Sequence, residues 1–223
     1  MKEARAEQKD ESECSRNIES APFAPYSYAA MNLLEYVAAA FGVISVYLSV
    51  RQNIWSWPTA IVNVGLYTIV FYHSRLYADM GLQVVYVIIS IYGWYEWLYG
   101  GKGHTELHVS RTSRRLGILL VGIGIVTSYL LGALLYRTSD AAPYVDAATT
   151  STSLIAQWMM TKKFLENWAV WVAVDVVYIA LYIYRDLYVT SLLYLAFLIL
   201  SVMGYRQWKA SLAEGELVVA PAA

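Results

Sequence analysis

Seven transmembrane helices, set out as two parallel three-helix repeats with a linker helix between them, are the all-α architecture this amino-acid sequence specifies, and three features carry it. Composition is the first: 58% of the 223 residues are hydrophobic and 15% charged, far from the balance of a soluble domain. The second is a series of continuously apolar runs near the length of about 20 residues that crosses a hydrocarbon core of about 30 Å. The third is a correspondence between the two halves of the chain at an offset of 111 residues.

The elements follow in chain order. Residues 1–30 mix Lys, Arg, Glu, Asp and Ser before turning to Ala and Pro, the composition of a mobile polar tail without the early apolar core of a signal peptide. The tail holds Cys14, the only cysteine, which leaves no disulfide framework and no cysteine-based metal site. Apolar spans then run at about 32–50, 57–73, 80–99, 116–136, 144–161, 167–184 and 187–208, and a polar, small-residue tail closes the chain at 210–223. Short loops such as RQNIWS and HSRLYAD join the spans; the longest, GGKGHTELHVSRTSRR, separates the third from the fourth. A bilayer admits only helices and closed barrels, and a barrel needs alternating segments of about ten residues, so continuous runs are read as helices.

The first repeat occupies residues 31–99, the loop and linker helix 100–141, and the second repeat 142–209. At the offset of 111, Trp57 falls on Trp168, Tyr67 on Tyr178, Ser90 on Ser201, Gly93 on Gly204 and Trp97 on Trp208. Glu35 lies opposite Asp146, and Arg51 opposite Lys162. A single linker span inserts both units the same way round, giving parallel repeats about an axis along the membrane normal, a frame transporters use to build a site near the midplane. One side collects Arg51, Lys102, Arg111, Arg114, Arg115, Lys162, Lys163, Arg206 and Lys209; the other collects Arg75, Arg137, Arg185 and the tail's basic residues. The excess of positive charge inside places the C-terminus in the cytoplasm and the N-terminus outside.

The stretch KFLENWAVWVAVDVVY, from Lys163 to Tyr178, concentrates the chemistry. Trp168, Trp171, Asp175 and Tyr178 recur at i, i+3, i+7 and i+10, one face of a helix. A carboxylate in mid-span costs about 2.5–3.5 kcal/mol on insertion, so Asp175 reads as functional. Two indoles beside it suit a flat organic cation. Its repeat counterpart is Val64, and that of Trp171 is Ala60, so charge and extra ring belong to the second half alone.

Other candidates have plainer readings. Trp55, Trp94, Trp97 and Trp208, near span ends, read as an aromatic belt. Glu35 and Asp146, nearer the ends of their spans, read as snorkelling or interhelical groups. Asn63, Gln83 and Gln157 suit either a pathway or helix–helix contact. His104 and His108 stand four apart in a polar loop but do not form H-E-x-x-H, and GGKG lacks the spacing of a phosphate loop. Inside the spans there is no Ser-His, Cys-His or paired-His arrangement, which argues against an intramembrane enzyme. No cofactor, metal or nucleic-acid partner is expected.

The run LYADMGLQVVYVIISIYGWYEW and the block LIAQWMMTKKFLENWAVWVAVD, together with the repeat, resemble the PnuC-type vitamin transporters over about Asn32 to Lys209. The resemblance implies a SWEET-like 3+1+3 fold in the bacterial inner membrane, assembled as a homotrimer with one pathway per protomer. It implies facilitated diffusion of nicotinamide riboside, trapped by phosphorylation by a cytoplasmic kinase, with relatives that carry thiamine and riboflavin. The W-x-x-W-x-x-x-N pattern of the riboside carriers falls on Trp168, Trp171 and Asp175, where Asp stands in place of Asn, so thiamine remains the alternative cargo. Gln157, Asn63 and Gln83 fall where the family places polar groups on the pathway. Tyr178 joins the expected substrate-binding set from the α-helical face, and Trp57 and Tyr67 join it as the repeat counterparts of Trp168 and Tyr178.

Overall fold

The structure, a computed structural model, describes residues 28–74, 77–137, 143–184, 186 and 188–219. The tail expected over residues 1–27 lies outside them, as do Arg75 and Arg185 of the orientation argument. Seven helices form: α1 (Tyr28–Val50), α2 (Ser56–His73), α3 (Tyr77–Tyr99), α4 (Arg114–Leu135), α5 (Pro143–Thr161), α6 (Asn167–Tyr184) and α7 (Tyr188–Val219). Three of them contain stretches long and apolar enough to cross a membrane by length and composition: Met31–Val50, Arg114–Leu135 and Asn167–Tyr184.

Local sequence explains the ends. Pro58 in the first turn of α2 and Pro143 at the start of α5 occupy positions whose N–H has no intrahelical partner. Ser113 caps α4, its hydroxyl accepting from the Leu116 N–H at 3.3 Å. α5 is the most polar helix, with Thr149–Ser153 reading TTSTS, and the Thr149 hydroxyl turns back to the Val145 carbonyl at 3.0 Å. The one large difference from the sequence spans is α7, whose 32 residues run through Ser211–Val219 of the expected tail. That segment, SLAEGELVV, holds Leu, Glu and Ala, which favour a helix, and its single glycine costs too little to end it.

Helix neighbours close a ring. α1 packs on α2, α2 on α3, α3 on α5, α5 on α6, α6 on α7, and α7 on α1, while α4 sits outside the ring against α5. α2 and α6 therefore face each other across its middle.

The turns leading into α2 and α6 share one set of backbone bonds, 111 residues apart. Gln52 and Lys163 both take left-handed φ values, 53° and 49°. Asn53 N–H bonds to Leu48 O at 2.9 Å, and Phe164 N–H to Met159 O at 3.1 Å. Ser56 N–H bonds to Asn53 O at 3.0 Å, and Asn167 N–H to Phe164 O at 3.2 Å. Two indoles repeat the same relation across the ring's seams: Trp97 Nε1 donates to Met160 O and Trp208 Nε1 to Ser49 O, each at 3.0 Å.

Candidate functional site

Four indoles make a floor at the end of the ring that holds the turns leading into α2 and α6. Trp57 meets Trp97 edge-on (5.3 Å, 89°), and Trp168 meets Trp208 in the same way (5.4 Å, 89°). Trp97 and Trp208 touch at 5.8 Å, joining the two pairs. Glycines create the sockets: a Cβ on Gly93 would stand 2.3 Å from Trp57 Cη2, and one on Gly204 2.5 Å from Trp168 Cε2. Trp97 and Trp208, read from sequence as belt residues, are instead 2% and 0% exposed, because Gly-x-x-x-Trp places the second ring on the turn above a socket. Trp55 and Trp94 stay exposed.

The expected substrate-binding residues divide between this floor and the ring above it. Trp57 and Trp168 are fully buried in the floor, and neither Nε1 has a hydrogen-bond partner among the described residues. The next groups lie on α6. Asp175 is 3% exposed, and its Oδ2 accepts from the Ser201 hydroxyl of α7 at 3.0 Å. Trp171 is half-buried and packs against the indole core.

Tyr178 enters a cluster of rings with Tyr194 (4.7 Å) and Tyr182 (5.8 Å), roughly 15 Å along the helix from Trp168 at 1.5 Å per residue. Its hydroxyl lies near Thr149 and Ser153 of α5, and Tyr86 of α3 reaches the same Ser153. Tyr67 stacks on Phe71 at 5.8 Å and lies within electrostatic reach of Glu35 and of Tyr182, the latter across the ring. Asp146 approaches Tyr178 as Glu35 approaches Tyr67.

The polar candidates differ. Asn63 is committed to α1, its Nδ2 donating to Ala38 O at 2.6 Å. Gln83 and Gln157 are half-buried. Tyr86, Tyr182, Tyr194, Thr149, Ser153 and Ser201 are the groups that sequence reasoning passed over. Two signals were available: the i, i+4 pair Tyr178–Tyr182, and the hydroxyl run TTSTS inside an apolar span.

Beyond the spans, the turn before α6 is charged. Lys162 Nζ pairs with Glu96 Oε1 at 2.9 Å and lies 5.0 Å from the Tyr92 ring centre. Burial pulls its ammonium down, but the contacts with Tyr92 and Glu96 outweigh that and raise it above the usual lysine value. Lys163 is 7% exposed, with Nζ 4.4 Å from the Trp97 ring centre. Burial lowers its pKa to about 8, opposed only by Glu106.

With this geometry in place, the likeness to known proteins can be read. Residues 32–210 match the nicotinamide mononucleotide transporter family. The chain belongs to that family. The nicotinamide riboside transporter PnuC of Escherichia coli (strain K12) is 27% identical over 210 residues, covering 82% of this chain and 88% of its own. PnuC of Neisseria mucosa is 28% identical over 187 residues, with coverages of 78% and 71%. The riboflavin/roseoflavin transporter RibM of Streptomyces davaonensis is 24% identical over 180 residues, covering 78% and 83%. A crystal structure of the vitamin B3 transporter PnuC superposes with a TM-score of 0.65 at 26% identity, covering 82% of this chain and 83% of that one. The PnuC-type resemblance is thus borne out, and the chain is an all-helical membrane transporter. None of these relatives is named for thiamine, so that alternative gains no support.

Proposed function

We propose that the chain carries nicotinamide riboside into the bacterial cytoplasm by facilitated diffusion, and that phosphorylation by a cytoplasmic kinase traps it. The observation that carries a cationic cargo is Asp175, which stands where the riboside carriers' pattern has Asn. It is a carboxylate buried in a membrane-spanning helix whose bonded partner is the neutral Ser201 hydroxyl, and among the described residues no Lys or Arg pairs with it. A buried charge calls for a countercharge. The pyridinium of the riboside supplies one, with the half-buried Trp171 beside it to stack, a cation–π contact of up to about 2 kcal/mol when desolvated. Gln157 and Gln83 are amides in reach of a ribose from the neighbouring helices, and Tyr67 and Tyr178 line the ring above.

The helices are read as a 3+1+3, SWEET-like arrangement in the inner membrane, N-terminus outside, with protomers assembled as a homotrimer. Support comes from the closed six-helix ring, from α4 standing outside it, and from the turn bonds that recur at an offset of 111. The names of the riboside carriers among the relatives support the cargo.

Purified protein in liposomes is expected to equilibrate labelled nicotinamide riboside without ATP or an ion gradient, and to leave thiamine outside. Uphill accumulation driven by a proton gradient would overturn the uniport. Uptake of thiamine or riboflavin in preference to the riboside would overturn the cargo.

A further inference from the structure

The indole floor is held along two seams that the repeat makes equivalent and the side chains do not. At the α3–α5 seam, Trp97 Nε1 donates to Met160 O, Lys162 pairs with Glu96 at 2.9 Å, and the Lys163 ammonium lies over Trp97. The loop after α3 then crosses to the α5–α6 turn. Ser110 N–H bonds to Lys163 O (3.1 Å), Leu165 N–H to Ser110 O (2.9 Å), and Thr112 N–H to Glu166 Oε2 (2.8 Å).

The α7–α1 seam keeps only the Trp208 Nε1 bond to Ser49 O from this set. The counterparts of Glu96, Lys162 and Lys163 there are Gln207, Arg51 and Gln52. Among the described residues no ion pair crosses it, and α7 runs straight on to Val219 without a loop that turns back. The same helix covers the buried part of the candidate site: Gly204 and Trp208 lie on Trp168, and Ser201 holds Asp175.

We propose that the floor opens on one side only. The inner half of α7 swings out from the α1–α2 turn, breaking the Trp208–Ser49 bond and uncovering Trp168 and Asp175. The α3–α5 seam, fastened by its ion pair and by the crossing loop, stays shut through the cycle and serves as the hinge. Motion of this kind, one element moving against a fixed partner, is a shear or hinge step between two packed arrangements.

Two arms test it, both in a Cys14→Ser background. In the first, the cysteine pairs Arg51→Cys/Gln207→Cys and Glu96→Cys/Lys162→Cys are joined by a short bifunctional maleimide and uptake of nicotinamide riboside is measured. This arm rests on the transport reading above. Cross-linking across 51 and 207 should cut uptake by about tenfold or more, and across 96 and 162 by less than about twofold, as for a gate and a static contact. In the second, spin labels at Asn53→Cys/Ala210→Cys and at the equivalent Tyr99→Cys/Phe164→Cys leave Glu96 and Lys162 in place. Two distances are expected at the first pair and one narrow distance at the second, whatever the cargo. Equal block by both cross-links, or two distances at the Tyr99/Phe164 pair, would overturn one-sided opening. Absence of uptake before cross-linking would count against the cargo instead, and the distances would still decide the seam.

Discussion

Replacing Gly204 by alanine probes the floor most directly. The added Cβ would stand 2.5 Å from Trp168 Cε2 and 2.6 Å from Cδ2 and Cζ2, where ordinary contact begins near 3.4 Å. The ring must therefore retreat by nearly an ångström. It has nowhere to go, because Trp168 is 1% exposed and stands edge-on to Trp208. Overpacking of this kind costs about 1–3 kcal/mol. At roughly 2–4 °C per kcal/mol for a chain of this size, the midpoint of thermal unfolding in detergent should fall by about 2–12 °C. Gly93→Ala should cost about the same, since Trp57 Cη2 is 2.3 Å away in the equivalent socket. A Trp168→Phe background removes the offending benzo ring, so Gly204→Ala should cost less there, with a coupling of at least about 0.5 kcal/mol. Equal losses on the two backgrounds would refute the socket argument.

Other expectations concern charge and bonding. Asp175→Asn keeps an acceptor for Ser201 and reproduces the Asn of the riboside carriers' pattern, so the fold should hold and riboside affinity should drop by less than about 1.5 kcal/mol, the lower bound for a charged hydrogen bond; a larger loss by calorimetry would show that the riboside depends on the charge itself. Lys163→Gln copies its repeat counterpart Gln52 and should stabilise the protein at pH 7. Lys163 titrates near 8 when folded against 10.5 ordinarily, so the burial penalty is fully present below pH 8 and fades as pH rises to 10.5. That shift corresponds to about 3 kcal/mol at most, offset by about 1 kcal/mol for the lost contact with Trp97, and the variant's advantage should disappear in melts at pH 10.5. Trp208→Phe strips the donor from Ser49 O in a buried setting and should lower stability by about 1–3 kcal/mol, measured by the same melts.

Helix number and placement were legible because each helix rests on a largely apolar run bounded by polar turns, three of them long and apolar enough to cross a membrane. The floor was not legible as such. A tryptophan near a span end looks the same in sequence whether it lies in the headgroup belt or in a socket, and only the doubled Gly-x-x-x-Trp at 93–97 and 204–208 separates the cases. The α6 face was legible as a face but too wide to be one environment. At 100° per residue, Trp168 and Asp175 lie about 20° apart, Trp171 and Tyr178 lie about 20° apart, and the two pairs are about 60° apart. The first pair is accordingly buried against α7, and the second stays half-buried, with Tyr178 reaching α7 through Tyr194. Ser201 entered the sequence argument only as the partner of Ser90, since nothing in one dimension shows that a serine 26 residues away will hold Asp175.

Where the halves depart from each other bears on the cargo. The polar residues Asn63 of α2 and Asp175 of α6 are not counterparts: Asn63 ties α2 to α1, and Asp175 is held by α7. A symmetric frame with two equal polar groups would offer a ligand two equal ends. Here one half supplies a charge and the other an amide already bonded to its neighbour, so at the level of Asp175 the charge lies on one side of the ring. A cargo with one fixed positive end matches it, as nicotinamide riboside does. Riboflavin, the cargo named for the Streptomyces relative, has no such end and leaves the carboxylate uncompensated. Competition between the two for uptake, in wild type and in Asp175→Asn, therefore separates them: the riboside should win in the first and keep a smaller advantage in the second, where the Asn of the riboside carriers' pattern still offers a hydrogen bond.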